Sequence, residues 1–261
     1  MKTTLIQNHP VFGDKTANIE SIIRQMESVK ADLYILPELA YSGYQFVSTE
    51  EAAGLADALD SEAIDAFRRT AKRLDACIVF GFPEKAGAKL HNSSLAVLPD
   101  GREYLYRKTH LFYREGLFFS PGDTGFTIFE FRDAKVGMAI CFDWFFPESF
   151  RTLALRGADI IAHCSNLVMP YCQKADFAAA VQNRVFIATA NRVGTEKREE
   201  EALTFTGGSV LVSPKGEYLL EGPVGEEAVL SAEIDPGAAR KKSINPWNDA
   251  LADRRPKFYH G

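Results

Sequence analysis

Residues 135–149 read KVGMAICFDWFFPES, and this stretch decides the fold. Lys135 to Ile140 is a short apolar run with a β-branched residue at each end of its core and one glycine inside, the pattern of a buried strand. The run then breaks. Cys141 follows it, Asp143 comes two residues later, and Pro147 with Glu148 opens a helical pattern through Arg156. A proline and an acid in the first turn are helix-start signals. The thiol therefore sits at a strand-to-helix corner, held out of the packed sheet and next to free backbone N–H groups. Acyl-transfer nucleophiles occupy such corners. A free cysteine is also among the most buried residue types. The stretch alone leaves both readings of Cys141 open, a nucleophile or a small buried hydrophobe.

The flanking sequence repeats the strand–helix rhythm. Residues 3–7 read as a strand. Residues 18–30 read as an amphipathic helix with Ile19, Ile22, Ile23 and Met26 on one face. ADLYILPEL (31–39) is a short strand that ends at Pro37. Residues 63–74 give a second helix, and ACIVFGFPE (76–84) and HNSSLAVLP (91–99) two more strands. Asp100-Gly101 is a turn before EYLYRK (103–108). HLFYREGLFFSPGD (110–123) reads as an irregular aromatic loop, and FTIFEF (126–131) pairs with the strand before Cys141. Beyond the corner, ADIIAHCSN (158–166) and VFIATANRV (185–193) are strands separated by a helix over 174–184. A hairpin around Pro214-Lys215-Gly216, a last strand AVLSAEID (228–235) and a polar tail from about residue 236 close the chain. The alternation indicates an α/β layered protein with mixed sheets. ADLYILPEL and ADIIAHCSN each follow a helix and end in a polar residue, which points to internal pseudo-symmetry and two sheets. No linker rich in Pro, Gly or Ser appears, so residues 1–261 read as a single domain.

Composition narrows the function classes. Apolar residues make up 46% of the 261 positions, enough for a sizeable core, and 25% are charged. The net charge of −5 and the lack of a long basic run argue against a nucleic-acid surface. EKREEE (196–201) mixes signs and reads as a solvated loop. No window reaches the ~18 apolar residues of a membrane span. The N-terminus lacks the apolar core of a signal peptide, so the expected location is the cytoplasm. In that compartment Cys77, Cys141, Cys164 and Cys172 are expected as free thiols. No CxxC pair and no zinc-type spacing of histidines occurs, so no metal is expected.

Three reactive side chains stand just past apolar strands: Glu38 after YILP, Lys108 after YLYR and Cys141 after GMAI. Ligand sites of α/β folds lie at such strand ends. An acid, a cation and a thiol form a coherent set for acyl transfer. A carboxylate takes the thiol proton and later activates water. An ammonium favours thiolate and stabilises an oxyanion. Each also has a plainer reading, Glu38 as a turn residue and Lys108 as solvated charge beside Arg107.

LPEL around Glu38, YRKTHLF around Lys108 and CFDWFFPE around Cys141 resemble, in order and separation, the three signatures of the nitrilase superfamily, the carbon–nitrogen hydrolases. The resemblance spans nearly the whole chain. It implies a four-layer α-β-β-α sandwich of two mixed sheets. It implies Glu38 as general base, Lys108 as the group that polarises the substrate and holds the oxyanion, and Cys141 as nucleophile. Glu115, seven residues after Lys108, matches a second glutamate that orients the lysine and the substrate. Asn166, in HCSNLVMP, matches an asparagine near the family's pocket. Tyr44, Phe118 and Phe119 are candidates to line the substrate site, and the Phe142 N–H is a second oxyanion donor. No cofactor is implied, and two copies are expected to pair or assemble further.

The expected reaction is hydrolysis of a small aliphatic amide to acid and ammonia through a thioester. The alternatives are a nitrilase acting on small aliphatic nitriles, an N-carbamoyl hydrolase, and a non-catalytic redox-sensing or ligand-binding thiol protein. Two departures stand out. Phe145 replaces an arginine common among amidase members, which disfavours an acidic substrate, and Cys164 stands where proline or another small residue is common.

Overall fold

The computed structural model describes residues 1–259. The first half contains β1 (Lys2–Gln7), α1 (Lys15–Glu27), β2 (Leu33–Ile35), α2 (Thr49–Leu55), α3 (Glu62–Leu74), β3 (Cys77–Ala86), β4 (Lys89–Val97) and β5 (Glu103–Arg107). The second half contains β6 (Ile128–Phe131), β7 (Ala134–Ile140), α4 (Pro147–Leu155), β8 (Ile160–Ser165), α5 (Cys172–Asn183) and β9 (Phe186–Asn191). It continues through β10 (Val193–Arg198), β11 (Glu201–Thr206), β12 (Val210–Val212), β13 (Tyr218–Glu221) and β14 (Ala228–Glu233). A small hairpin of β15 (Ser243–Asn245) and β16 (Asn248–Asp249) follows in the tail.

Two six-stranded sheets carry the fold, ordered β14-β1-β2-β3-β4-β5 and β13-β12-β9-β8-β7-β6. In the first, β1, β2 and β3 run parallel, β4 and β5 fold back antiparallel, and β14 pairs antiparallel outside β1. In the second, β7, β8 and β9 run parallel, β12 and β13 fold back, and β6 pairs antiparallel outside β7. The two sheets therefore repeat one plan, with β2 and β8 in equivalent central places. Those are the two segments whose likeness the sequence displays.

Strand alternation builds the layers. Leu33, Ile35, Cys77 and Val79 of the first sheet join Val136, Met138, Ile160, Ala162 and Cys164 of the second in one core. Their neighbours Tyr34, Ile78 and Phe80 face the other way, against α1 and α3. Ala139, Ile161 and Ile187 likewise meet α4 and α5. The result is the expected α-β-β-α sandwich. No helix among the described residues is long and apolar enough to cross a membrane.

Three local expectations need correction. The first helix starts at Lys15 and ends at Glu27, earlier than read, because Asp14 caps it by accepting from Ala17 N at 3.2 Å. Helix α2 is additional. Ser48 Oγ accepts from Glu51 N and Glu51 Oε2 accepts from Val47 N, but the helix buries only Ala52, so no apolar periodicity marks it. EKREEE is the turn end of the β10–β11 hairpin rather than a free loop. Glu196 within it is buried, paired with the fully buried Arg192, and accepts from the backbone N–H groups of Tyr44 and Gln45.

Candidate active site

Glu38, Lys108, Glu115 and Cys141 come together between the sheets' strand ends, each at most 5% exposed. Glu38 sits on a tight turn after β2. Pro37 O accepts from Gly81 N at 3.0 Å, Ala40 N donates to Gly81 O at 2.9 Å, and Leu39 takes the left-handed φ of 47°. Gly81 makes this possible. A Cβ there would lie 2.5 Å from Glu38 Cα and 2.6 Å from Leu39 N, so any side chain would push the turn that carries Glu38 aside.

Lys108 follows β5 directly. Its N–H donates to Asn92 O at 2.8 Å, and its carbonyl accepts from Gly122 N at 2.9 Å. Alternation sends Arg107 the other way, to Glu84 at 2.7 Å and Asp123 at 2.8 Å. Lys108 is thus not the solvated charge its neighbour suggests. Its Nζ donates to Glu38 Oε1 and to Glu115 Oε1, both at 2.7 Å. Asn92 Nδ2 donates to Glu38 Oε1 at 2.7 Å, and Tyr44 OH donates to Glu115 Oε1 at 2.7 Å. Burial works against the Lys108 ammonium, but Glu115 and Glu38 outweigh it and its pKa is raised. Removing one member of a buried ion cluster of this kind costs about 3–5 kcal/mol, because the remaining charges lose their partner.

Burial, reinforced by Glu115, pushes Glu38 up to about 7 against the pull of Lys108 and Asn92. Its second oxygen, Oε2, is buried with no hydrogen-bond partner among the described residues. Burial also pushes the Cys141 thiol well above its ordinary range. The Glu38 carboxylate adds to this and Lys108 opposes it. A buried thiol held protonated is poorly suited to redox sensing, which needs an exposed thiolate. It suits a site where a neighbouring base removes the proton only as the reaction proceeds.

Cys141 occupies the predicted corner with φ 37°, a left-handed backbone that a non-glycine residue holds only when its surroundings enforce it. Asp143 is one enforcer. It accepts from Ile140 N at 2.9 Å, Tyr106 OH at 2.7 Å and His110 Nδ1 at 2.8 Å. The corner continues as a 3-10 turn over Cys141–Phe145 before α4 begins at Pro147.

The remaining candidates divide between two small cavities. Cys141, Phe142 and Asn166 line one, with Phe112, Trp144 and Leu167 around them. Its volume is ≈ 10 Å³, about the room of one water. Asn166 is buried there with both side-chain amide atoms unpartnered among the described residues, while its carbonyl lies 3.7 Å from Cys141 Sγ. Tyr44, Phe118 and Phe119 line the other cavity, beside Glu115. Phe145 lies outside both, 55% exposed, with its ring stacked on Phe142 at 5.3 Å. Cys164 is fully buried in the core between the sheets.

Asn92, Asp143 and the Gly81 contact are site features that the sequence reading did not single out. One signal was available for Asn92: HNSS is a polar run inside a strand, and all four of its residues are buried.

The carbon-nitrogen hydrolase family model matches residues 2–242. The chain is 44% identical to a nitrilase of Pyrococcus abyssi over 263 residues, 99% of each protein. It is 33% identical to an (R)-stereoselective amidase of Pseudomonas sp., over 98% of this chain and 92% of that one. Among solved structures, it superposes at a TM-score of 0.81 and 25% identity on the amidase of Nesterenkonia sp. AN1, which carries an acrylamide Michael adduct at its active-site cysteine. That match covers 98% of this chain and 97% of the other. The chain is therefore an enzyme of the nitrilase superfamily, a member of the carbon–nitrogen hydrolase family.

Proposed function

We propose that this enzyme hydrolyses a small, neutral aliphatic amide to its acid and ammonia through a thioester on Cys141. The observation that carries the reading is the buried Lys108 Nζ bridging Glu38 and Glu115 at 2.7 Å each, with the buried Cys141 thiol in the same cluster. In the reaction, Cys141 Sγ attacks the carbonyl carbon and its proton passes to Glu38. Lys108 and the Phe142 N–H hold the oxyanion. As the C–N bond breaks, Glu38 returns the proton to the leaving nitrogen and ammonia departs. Water then attacks the thioester and gives a proton to Glu38. The C–S bond breaks, the acid is released, and the proton returns to Cys141. Glu115 holds Lys108, and Tyr44 holds Glu115. The apolar walls around Cys141, from Phe112, Phe142 and Trp144, favour a short apolar acyl group over a charged one. The Asn166 amide, unpartnered among the described residues, is the polar group offered to the substrate.

A nitrile substrate is the second reading, favoured by the 44% identity to a nitrilase. The same groups would add Cys141 to C≡N and pass through a thioimidate. Ammonia release from propionamide against propionitrile separates the two. Faster release from the amide is expected. Release from the nitrile alone would overturn the amide reading and establish the second.

A further inference from the structure

The backbone carbonyl of Cys141 is the start of a buried chain of hydrogen bonds that leads away from the reaction site. His163 Nε2 lies 2.9 Å from Cys141 O, with Ser165 Oγ at 3.1 Å from the same nitrogen. His163 Nδ1 lies 2.9 Å from Thr189 Oγ1. Thr189 Oγ1 lies 2.7 Å from Asp176 Oδ2, and Cys172 Sγ closes the chain at 3.6 Å from the same oxygen. Each of these residues is fully buried. They come from β8, β9 and α5, three elements that meet only in the folded second half.

Counting hydrogens fixes the direction of the chain. A carbonyl oxygen only accepts, so His163 Nε2 carries a proton and donates to Cys141 O. Two arrangements satisfy the remaining contacts. In one, His163 is doubly protonated and donates to Thr189, which donates to an Asp176 carboxylate. In the other, neutral His163 accepts at Nδ1 from the Thr189 hydroxyl, and Thr189 accepts from a neutral Asp176 carboxyl. The first separates two charges by a hydroxyl inside the core, where unpaired charge is costly. Burial disfavours it at both ends, lowering His163 to about 4 and raising Asp176 to about 7. The neutral arrangement is the one that this burial favours.

We infer that Asp176, acting through Thr189 and His163, is a positioning residue that holds the Cys141 carbonyl and thereby aims the nucleophile from its left-handed corner. The donor atoms of His163, Cys172 and Asp176 also lie within 4.8 Å of one another, a spacing open to a metal ion. Both His163 nitrogens and Asp176 Oδ2 are already used by the chain, so the hydrogen-bonded form accounts for the cluster without one.

The inference rests on Cys141 being the nucleophile, and its test separates the two. Asp176→Asn keeps a hydrogen to offer Thr189, as the neutral carboxyl does. Asp176→Ala and Thr189→Val each break the chain. Steady-state amide turnover and the rate of iodoacetamide labelling at Cys141, read by mass spectrometry of that peptide, are measured on variants whose thermal midpoints are known. Labelling reports thiol presentation whether or not Cys141 turns over substrate. Both chain-breaking variants are expected to lower kcat by ~100-fold, the effect of misplacing a reacting group by ~1 Å. KM should stay within about twofold of wild type, and labelling should slow in parallel. Asp176→Asn should restore both rates. Equal impairment of Asp176→Asn and Asp176→Ala would support the positioning role and overturn the neutral arrangement in favour of an ionised carboxylate. Wild-type rates in a folded Asp176→Ala would overturn it outright. Zinc retained one-to-one by the purified enzyme and lost in Asp176→Asn would replace it with a metal centre.

Discussion

Replacing Cys141 by alanine is expected to lower kcat/KM by roughly 10⁴-fold or more, because the members of a nucleophilic unit fail together. The other three groups cannot compensate. Lys108 is locked between two carboxylates at 2.7 Å and has no unshared electron pair to offer. Glu38 Oε2 has no hydrogen-bond partner among the described residues, but without the thiol it has no thiol proton to collect and no thioester for water to attack. The fold should survive the change, since removing one sulfur from this corner costs about 1 kcal/mol. Asp143 and His163 continue to hold the backbone on either side. Ammonia release, compared at matched thermal midpoints, checks the prediction. Turnover within a few-fold of wild type would remove Cys141 from the mechanism.

Glu38 governs the second large effect. Its carboxyl must be ionised to take the thiol proton, and burial raises its pKa to about 7. Above that pH it is a carboxylate and the site is competent. Below it, the carboxyl already holds a proton and the thiol has nowhere to send its own. kcat/KM should therefore be half-maximal near pH 7 and fall about tenfold for each further unit of acid. Glu38→Gln should lower the plateau by ~10²–10⁴-fold and abolish this acid limb. Glutamine keeps an oxygen for Lys108 but cannot accept the proton. An acid limb near 4.5, the ordinary value for a glutamate, would show that burial does not set the base. So would a limb that survives in Glu38→Gln.

Much of this site was legible before any coordinates. Glu38, Lys108 and Cys141 each follow an apolar strand, so a local pattern marks each one. The two-sheet architecture was visible because β2 and β8 carry similar segments in equivalent places. What stayed hidden depends on partners distant in sequence. Glu196 looked like one charge in a solvated run. Its burial comes from Arg192 and from the Tyr44 and Gln45 amides about 150 residues earlier. Asn92 shows in the sequence only as part of the polar run HNSS, and its partner appears only when β4 lies beside the turn bearing Glu38. In the sequence His163 reads as part of a strand and Asp176 as part of a helix. They become neighbours of Cys141 because α5 packs over β8 and β9. The division of Phe142 and Asn166 from Tyr44, Phe118 and Phe119 into separate cavities also follows from loop packing that no spacing encodes.

The central claim is that carbon–nitrogen cleavage proceeds through an acyl group on Cys141, and mass spectrometry tests it most directly. Enzyme mixed with excess propionamide is quenched in acid within its first turnovers and digested. The account predicts that the peptide carrying Cys141 gains the mass of a propionyl group. That gain should be absent in Cys141→Ala and reversed by hydroxylamine, as a thioester requires. Steady ammonia release with Cys141 unmodified throughout, or with the acyl group on Cys172 instead, would contradict it.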